Sequence, residues 1–194
     1  ASGDTSVTLT QAGSYSSPNA GTGISMTMND SLGGTTASGA SASTNYNLTQ
    51  PTVTGTITAA PLNLTISKTY NNNASFTSAN TYTLSGTTYG SDGLASAMSI
   101  ASGSASVSSV NASASPYTSF STNSLVLSNT NYAINGSSTI SATINKATLT
   151  VTGTTTPSRQ YDSTTSATIT GGSLSGLASG DTSVTLTQAG SYSS

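Results

Sequence analysis

Any chemistry in this chain must come from three basic side chains, five acidic ones and nine tyrosines. The acids are Asp4, Asp30, Asp92, Asp162 and Asp181; the bases are Lys68, Lys146 and Arg159. Histidine, cysteine and tryptophan are absent. Without imidazole a Ser–His–Asp arrangement cannot be assembled. Lys68 or Lys146 could in principle activate a serine, but a solvated or strand-edge lysine is the simpler reading of both. Glycoside hydrolysis needs paired carboxylates. Asp4 and Asp181 are two copies of one position, and the rest are scattered. Zinc wants Cys or His. Calcium could recruit Asp30, Asp92 or Asp162 together with backbone carbonyls. No Asp-x-Asp cluster exists, so isolated turn aspartates are expected instead. The chain is therefore read as no enzyme, with no cofactor and no metal.

The remaining polar candidates also have plain readings. Asp4 and Asp181 each follow Ser-Gly and precede Val-Thr-Leu, which starts three residues further on, and this suggests an Asx turn ahead of a strand. Lys146 precedes a closing strand and is read as solvated or as edge protection; a Lys–Asn cross-link would need a neighbouring acid. Tyr46 and Tyr132 recur at matching positions, as do Tyr70 and Tyr161. Recurrence suggests core or joint packing with the hydroxyl hydrogen-bonded. Sugar stacking is the sharper alternative, and the lack of Trp argues against it. Six N-x-S/T sequons (Asn29, Asn47, Asn63, Asn73, Asn111, Asn135) are what chance gives when about two residues in five are Ser or Thr. Thr-x-Thr ladders at Thr52–Thr54 and Thr148–Thr152 read as ordinary strand faces. Ice-binding solenoids repeat such ladders every coil of some twenty residues, a much shorter period than any here.

The elements that would carry these residues are strands. Apolar and polar residues alternate at Val7–Thr10, Ile24–Met28, Val53–Ile57, Leu62–Ile66, Tyr82–Leu84, Leu125–Leu127, Ile140–Ile144 and Leu149–Val151. Period two over short runs predicts half-buried strands, and Thr, Val and Ile favour them. Gly, Asn, Ser and Asp clusters between the runs supply turns. The best helical candidate, Leu94–Ala101, is short and Ser-rich. A net charge of -2 does not match the high charge of disordered chains. There is no basic patch for nucleic acid and no apolar run long enough to span a membrane.

The strongest signal is a repeat. Residues Ala1–Ser17 and Ala178–Ser194 are the same seventeen letters at an offset of 177. Such identity implies a tandem array still being homogenised, of which this chain is expected to be a window. The long unit divides again. Asn45-Tyr46-Asn47-Leu48 is echoed by Asn131-Tyr132-Ala133-Ile134, and Thr56-Ile57 with Ala60-Pro61-Leu62-Asn63-Leu64 by Thr143-Ile144 with Ala147-Thr148-Leu149-Thr150-Val151. We therefore expect residues 1–66 to be the C-terminal part of one module. Residues 67–152 would be a complete second module, and 153–194 the N-terminal part of the next copy of the first. Modules of this size hold six to eight short strands, which suits small β-sandwiches. Joints without Gly/Ser linkers suggest a stiff, elongated rod.

Certain residues also carry a family resemblance. Tyr161-Asp162-Ser163-Thr164-Thr165-Ser166-Ala167-Thr168 resembles the opening of the YDG repeat, and Gly176 to Asp181, with Gly180-Asp181, its Gly-Asp turn. Asn19-Ala20-Gly21-Thr22-Gly23 resembles its Asn-Val-Gly-Thr-Gly segment. Asn45–Leu48, Ile57, Ala60, Leu62 and Leu64 resemble its closing strands. Asn131–Ile134, with Tyr132, and Thr143–Val151, with Lys146, are similar to the related MBG repeat. Two departures stand out: Ser163 replaces the YDG glycine, and Tyr70-Asn71-Asn72-Asn73 replaces the opening in the second module. Both repeats occur in large bacterial surface proteins similar to filamentous haemagglutinin-type adhesins. The resemblance implies tandem Ig-like β-sandwich modules and a structural or adhesive role outside the cell, in a stalk, filament or biofilm. It brings no catalytic residues. The expected partners are neighbouring repeats, identical chains in a fibre, or polysaccharide, with no nucleic acid and no membrane insertion.

Overall fold

The computed structural model describes residues 3–94 and 98–193. The fold is all-β, with strands throughout and a helical turn, α1 (Ala42–Asn45). It divides into two compact units: Ala1–Pro61 with Asn129–Ala133, and Leu62–Ser128 with Ile134–Ser194.

The first unit is built on an antiparallel sheet of β2 (Gly13–Tyr15), β3 (Gly21–Met28) and β5 (Val53–Ile57), with β3 in the middle. Alternation works as the sequence predicts: Ile24, Met26 and Met28 on β3 are half-buried while their neighbours face water. β1 (Thr8–Thr10) pairs with β4 (Ser31–Gly33). A short parallel ladder joins β6 (Ala60–Pro61) to β14 (Tyr132–Ala133). α1 forms where Ala42 packs with no exposure and the Tyr46 N–H closes the turn on Ala42 O at 3.0 Å. It ends at once because Tyr46 is extended. Among the described residues of this unit, Ala42 and Tyr132 are the buried hydrophobics.

The second unit holds the main core. β7 (Asn63–Thr69) lies between β9 (Thr81–Ser85), antiparallel, and β15 (Ile140–Asn145), parallel. Every second residue from Leu62 points inward, so Leu62, Leu64, Ile66 and Lys68 are buried together. β8 (Ser75–Phe76), β11 (Ala105–Ser106) and β12 (Thr122–Asn123) form another sheet, and β10 (Ile100–Ser102) pairs with β13 (Val126–Leu127) across a bulge. Phe76, Ile100, Val107, Leu127, Ile134, Ile140 and Ile144 complete the core. Each fully buried large side chain there stabilises the fold by about 1.5–3 kcal/mol relative to exposure.

The last part of this unit is thinner. β16 (Thr150–Thr152) pairs with β18 (Ser173–Ser175), and β17 (Ser166–Ala167) with β19 (Gly190–Ser191). No described residue from 146 to 193 is buried. Of the helical candidate Leu94–Ala101, Leu94 is helical, residues 95–97 lie outside the described residues, and Ile100 and Ala101 are in β10.

Candidate functional site

Two copies of one aspartate each meet a tyrosine far away in sequence. In the first unit the Tyr46 hydroxyl donates to Asp4 Oδ2, and the Ala37 N–H donates to Asp4 Oδ1 at 2.6 Å. Tyr46 arrives here because the helical turn stops just before it and releases the chain into extended backbone. Val7, Leu32 and Leu48 wall the hollow around this pair. In the second unit the Tyr70 hydroxyl donates to Asp181 Oδ1 at 3.1 Å. There Asn72 Nδ2 donates to the Ser179 carbonyl at 3.1 Å, and Leu149, Leu177, Val184 and the exposed Lys146 share the hollow. The Asx turn expected at Asp4 and Asp181 is corrected. These bonds reach 42 and 111 residues along the chain, because folded tyrosine hydroxyls offer donors where a local turn would offer only the next amides.

The hydrogen bonds set the acidity of these groups. The Ala37 amide first, and then the Tyr46 hydroxyl, hold the Asp4 carboxyl below the usual carboxylate range. The same bond to Asp4 raises the Tyr46 hydroxyl above its ordinary value. Burial, followed by the bond to Asp181, raises Tyr70. Asp4 is ionised more easily folded than unfolded. Its contribution to stability is therefore present above the ordinary Asp value and is lost as pH falls through the depressed folded one. Tyr46→Phe is expected to move the Asp4 carboxyl back up towards its ordinary value, leaving the Ala37 bond in place. Carboxyl chemical shifts followed through an acid titration check this; an unmoved Asp4 would mean that the tyrosine bond has no influence.

The other predicted residues scatter. Tyr132 is buried, 3% exposed, on the β6–β14 ladder. Asn19 Oδ1 accepts from Asn131 Nδ2 at 3.1 Å, while Asn131 Oδ1 accepts the Ala20 N–H at 2.8 Å. Tyr161 is 93% exposed, which corrects the expected packing by analogy with Tyr70. Its segment is a local turn with no apolar wall beside it. Asp162 Oδ1 accepts the Thr164 hydroxyl at 2.8 Å and the Thr164 N–H at 3.0 Å, and Arg159 closes on Asp162 at 2.5 Å. The Thr164 hydroxyl and amide, with Arg159 behind them, hold the Asp162 carboxyl low. Asp30, a calcium candidate, is 9% exposed, and its Oδ1 accepts the Ala12 N–H at 3.0 Å. Gly180 has φ +95, and Asn72 Nδ2 stands 2.9 Å from where a Cβ would be.

The reading of Lys68 as a solvated or strand-edge lysine is corrected, and Asn131 proves structural as well. Lys68 is only 9% exposed, with its Nζ donating to Asn73 O at 2.6 Å and Ser75 O at 2.9 Å. A signal for it existed: Lys68 continues the period-two series of Leu62, Leu64 and Ile66. Asn131 also receives the Ala60 N–H on its backbone carbonyl at 2.8 Å; the sequence marks it only as part of the Asn-Tyr echo, with no sign of these partners. No group of three or more His, Cys, Asp or Glu lies together among the described residues. The tyrosine–aspartate pairs can fasten chain segments, and they offer neither a nucleophile with its base nor a charged cradle. Comparison of the chain with protein-family models, with curated proteins and with solved structures finds no match.

Proposed function

We propose that this chain is a structural repeat segment of an extracellular bacterial adhesin, in which small β-sandwich modules follow one another and extend a binding tip or build a surface filament. The identical seventeen-residue segments at residues 1–17 and 178–194 carry this reading. Selection for a particular chemistry keeps a few site residues; duplication of a mechanical module keeps whole stretches. The parallel pairing of β7 with β15 supports a sandwich, since it returns the end of residues 62–145 to lie beside their beginning. The two module openings also share a backbone feature. Ser163 (φ 65) in Tyr-Asp-Ser and Asn72 (φ 57) in Tyr-Asn-Asn are both left-handed at the third position. That region favours glycine, the residue found there in the YDG repeat that the first opening resembles.

Immunogold labelling with antibodies to this chain is expected to decorate threads outside the cell envelope. Glycan arrays probed with the purified chain are expected to stay blank. Label confined to the cytoplasm would refute the stalk reading, and a saturable glycan signal would favour a carbohydrate-binding module.

A further inference from the structure

Asn135-Gly136 is the one Asn-Gly pair among the fifteen asparagines of the chain. It opens an exposed turn between two core residues, Ile134 and Ile140, which are 5% and 7% exposed. The Ser138 N–H donates to Asn135 O at 3.0 Å, and the Asn135 N–H donates to Ser138 Oγ at 3.0 Å. The Ser137 N–H donates to Asn135 Oδ1 at 2.9 Å. That last bond folds the asparagine side chain back over the Gly136 peptide. Among the described residues, neither the Gly136 N–H nor Asn135 Nδ2 has a hydrogen-bond partner. A Cβ on Gly136 would meet nothing within 4 Å.

Asn73 makes the same kind of turn in a tighter setting. The Ser75 N–H donates to Asn73 Oδ1 at 2.6 Å. The next residue is a half-buried alanine, Ala74, whose carbonyl accepts the Val107 N–H at 3.2 Å. The Lys68 ammonium holds Asn73 O at 2.6 Å and so fixes the peptide plane between 73 and 74. The plane between 135 and 136 is held only by the neutral bond from Ser138, and charge-assisted bonds are roughly twice as strong as neutral ones.

We propose that Asn135-Gly136 is a self-modification site, at which the chain loses ammonia and gains a carboxylate without an enzyme. Hydroxide takes the Gly136 amide proton, and the nitrogen bonds to Asn135 Cγ. The Cγ–Nδ2 bond breaks, and ammonia leaves with a proton from water. The product is a cyclic imide. Water opens it at either carbonyl, giving aspartate or isoaspartate. The Ser137 N–H faces the oxygen on which negative charge gathers as the ring closes. Closure also requires the peptide between 135 and 136 to swing, which glycine permits. Isoaspartate routes the main chain through an extra carbon, so the turn lengthens between two buried isoleucines. This happens just ahead of β15, where the Thr139 N–H donates to Asn63 Oδ1 at 2.8 Å. Either product adds a negative charge to a chain whose net charge is -2. Older chains therefore become more acidic and looser at the entry to β15. This site does not depend on the stalk reading.

The test incubates the purified full chain at neutral and at mildly alkaline pH. Samples are digested with pepsin in acid, where the reaction stops, and the peptides are followed by mass spectrometry. Asn135 is expected to convert first, at least about tenfold faster than Asn73, with isoaspartate among its products. Its rate should rise with pH, because the Gly136 amide must give up a proton. Gly136→Ala should slow Asn135 about tenfold. Gly136 has open space at its Cβ position and no positive φ, so alanine fits the fold and the loss reports the chemistry. Urea supplies the structural readout. Unfolding frees the Asn73 peptide from Lys68, so the ratio of the Asn135 rate to the Asn73 rate should narrow. Asn135 converting no faster than Asn73 in the folded chain, or an unchanged rate in Gly136→Ala, would overturn the proposal. So would a ratio that widens in urea, since the folded turn would then protect Asn135.

Discussion

Replacing Gly103 with alanine is expected to destabilise the second unit by about 4 kcal/mol, because a strained backbone and a steric overlap fall on one residue. Gly103 has φ +84, where an L side chain is disfavoured. A Cβ there would also lie 1.9 Å from Ser124 O and 2.7 Å from Ser124 C. Neither atom belongs to a flexible side chain. Both are backbone, held by the Ser124 N–H bond to Ser104 O at 2.8 Å. Relief would require moving that segment, next to the bulge that already interrupts β10 and β13. Two other glycines separate the contributions. Gly90 has φ +62 and open space around its Cβ position, so Gly90→Ala should cost only about 1 kcal/mol for its conformation. Gly136 has neither restriction, and Gly136→Ala should be nearly neutral. Urea unfolding of the three variants checks the order. A Gly103→Ala chain as stable as the Gly90→Ala chain would show that the loop yields without penalty. Natural domains carry only about 5–15 kcal/mol in total, so the Gly103 variant stands close to unfolding.

The repeated segment explains how far the sequence could be read. Alternation located strands well: Ile24–Met28, Val53–Ile57 and Ile140–Ile144 all lie in strands with every second residue turned inward. Alternation did not determine pairing. Thr8–Thr10 is a strand because Ser31–Gly33 lies beside it. The identical Thr185–Thr187 has no ladder. Propensity is the same in both copies, so the partner makes the strand. The tyrosine–aspartate pairs were hidden for a related reason. Each residue was singled out as recurrent, but the 42- and 111-residue separations between partners follow from tertiary topology. Tyr161 was judged by analogy with Tyr70, and analogy cannot report whether an apolar wall stands nearby. The single turn Ala42–Asn45 escaped notice because a four-residue helix is too short for a periodic signal.

Lys68→Ala is expected to lower stability by about 3 kcal/mol, through two lost charge-assisted hydrogen bonds and the packing of the aliphatic stem. The ammonium is the cap of the inward face of β7. It holds the Asn73 and Ser75 carbonyls where the chain turns into β8, and it lies 5.4 Å from the centre of the Phe76 ring. Phe76 has no exposure, so the lysine closes the core over it. Lys68→Met keeps the stem and loses the donors, and should cost about half as much. The pH dependence separates a charged cap from a merely polar one. Burial holds the Lys68 ammonium below the ordinary lysine value. The folded chain therefore releases this proton more readily than the unfolded chain does. The desolvation penalty acts in full below the depressed folded value and is relieved as pH rises from there towards the ordinary one. Titrating tyrosines affect the parent and the Lys68→Met chain alike, so their difference isolates the lysine. That difference should grow in favour of the parent chain as pH climbs through the window just below the ordinary lysine value. If it shrinks there, the ammonium is favoured by its site, and the two carbonyls and the Phe76 ring outweigh burial.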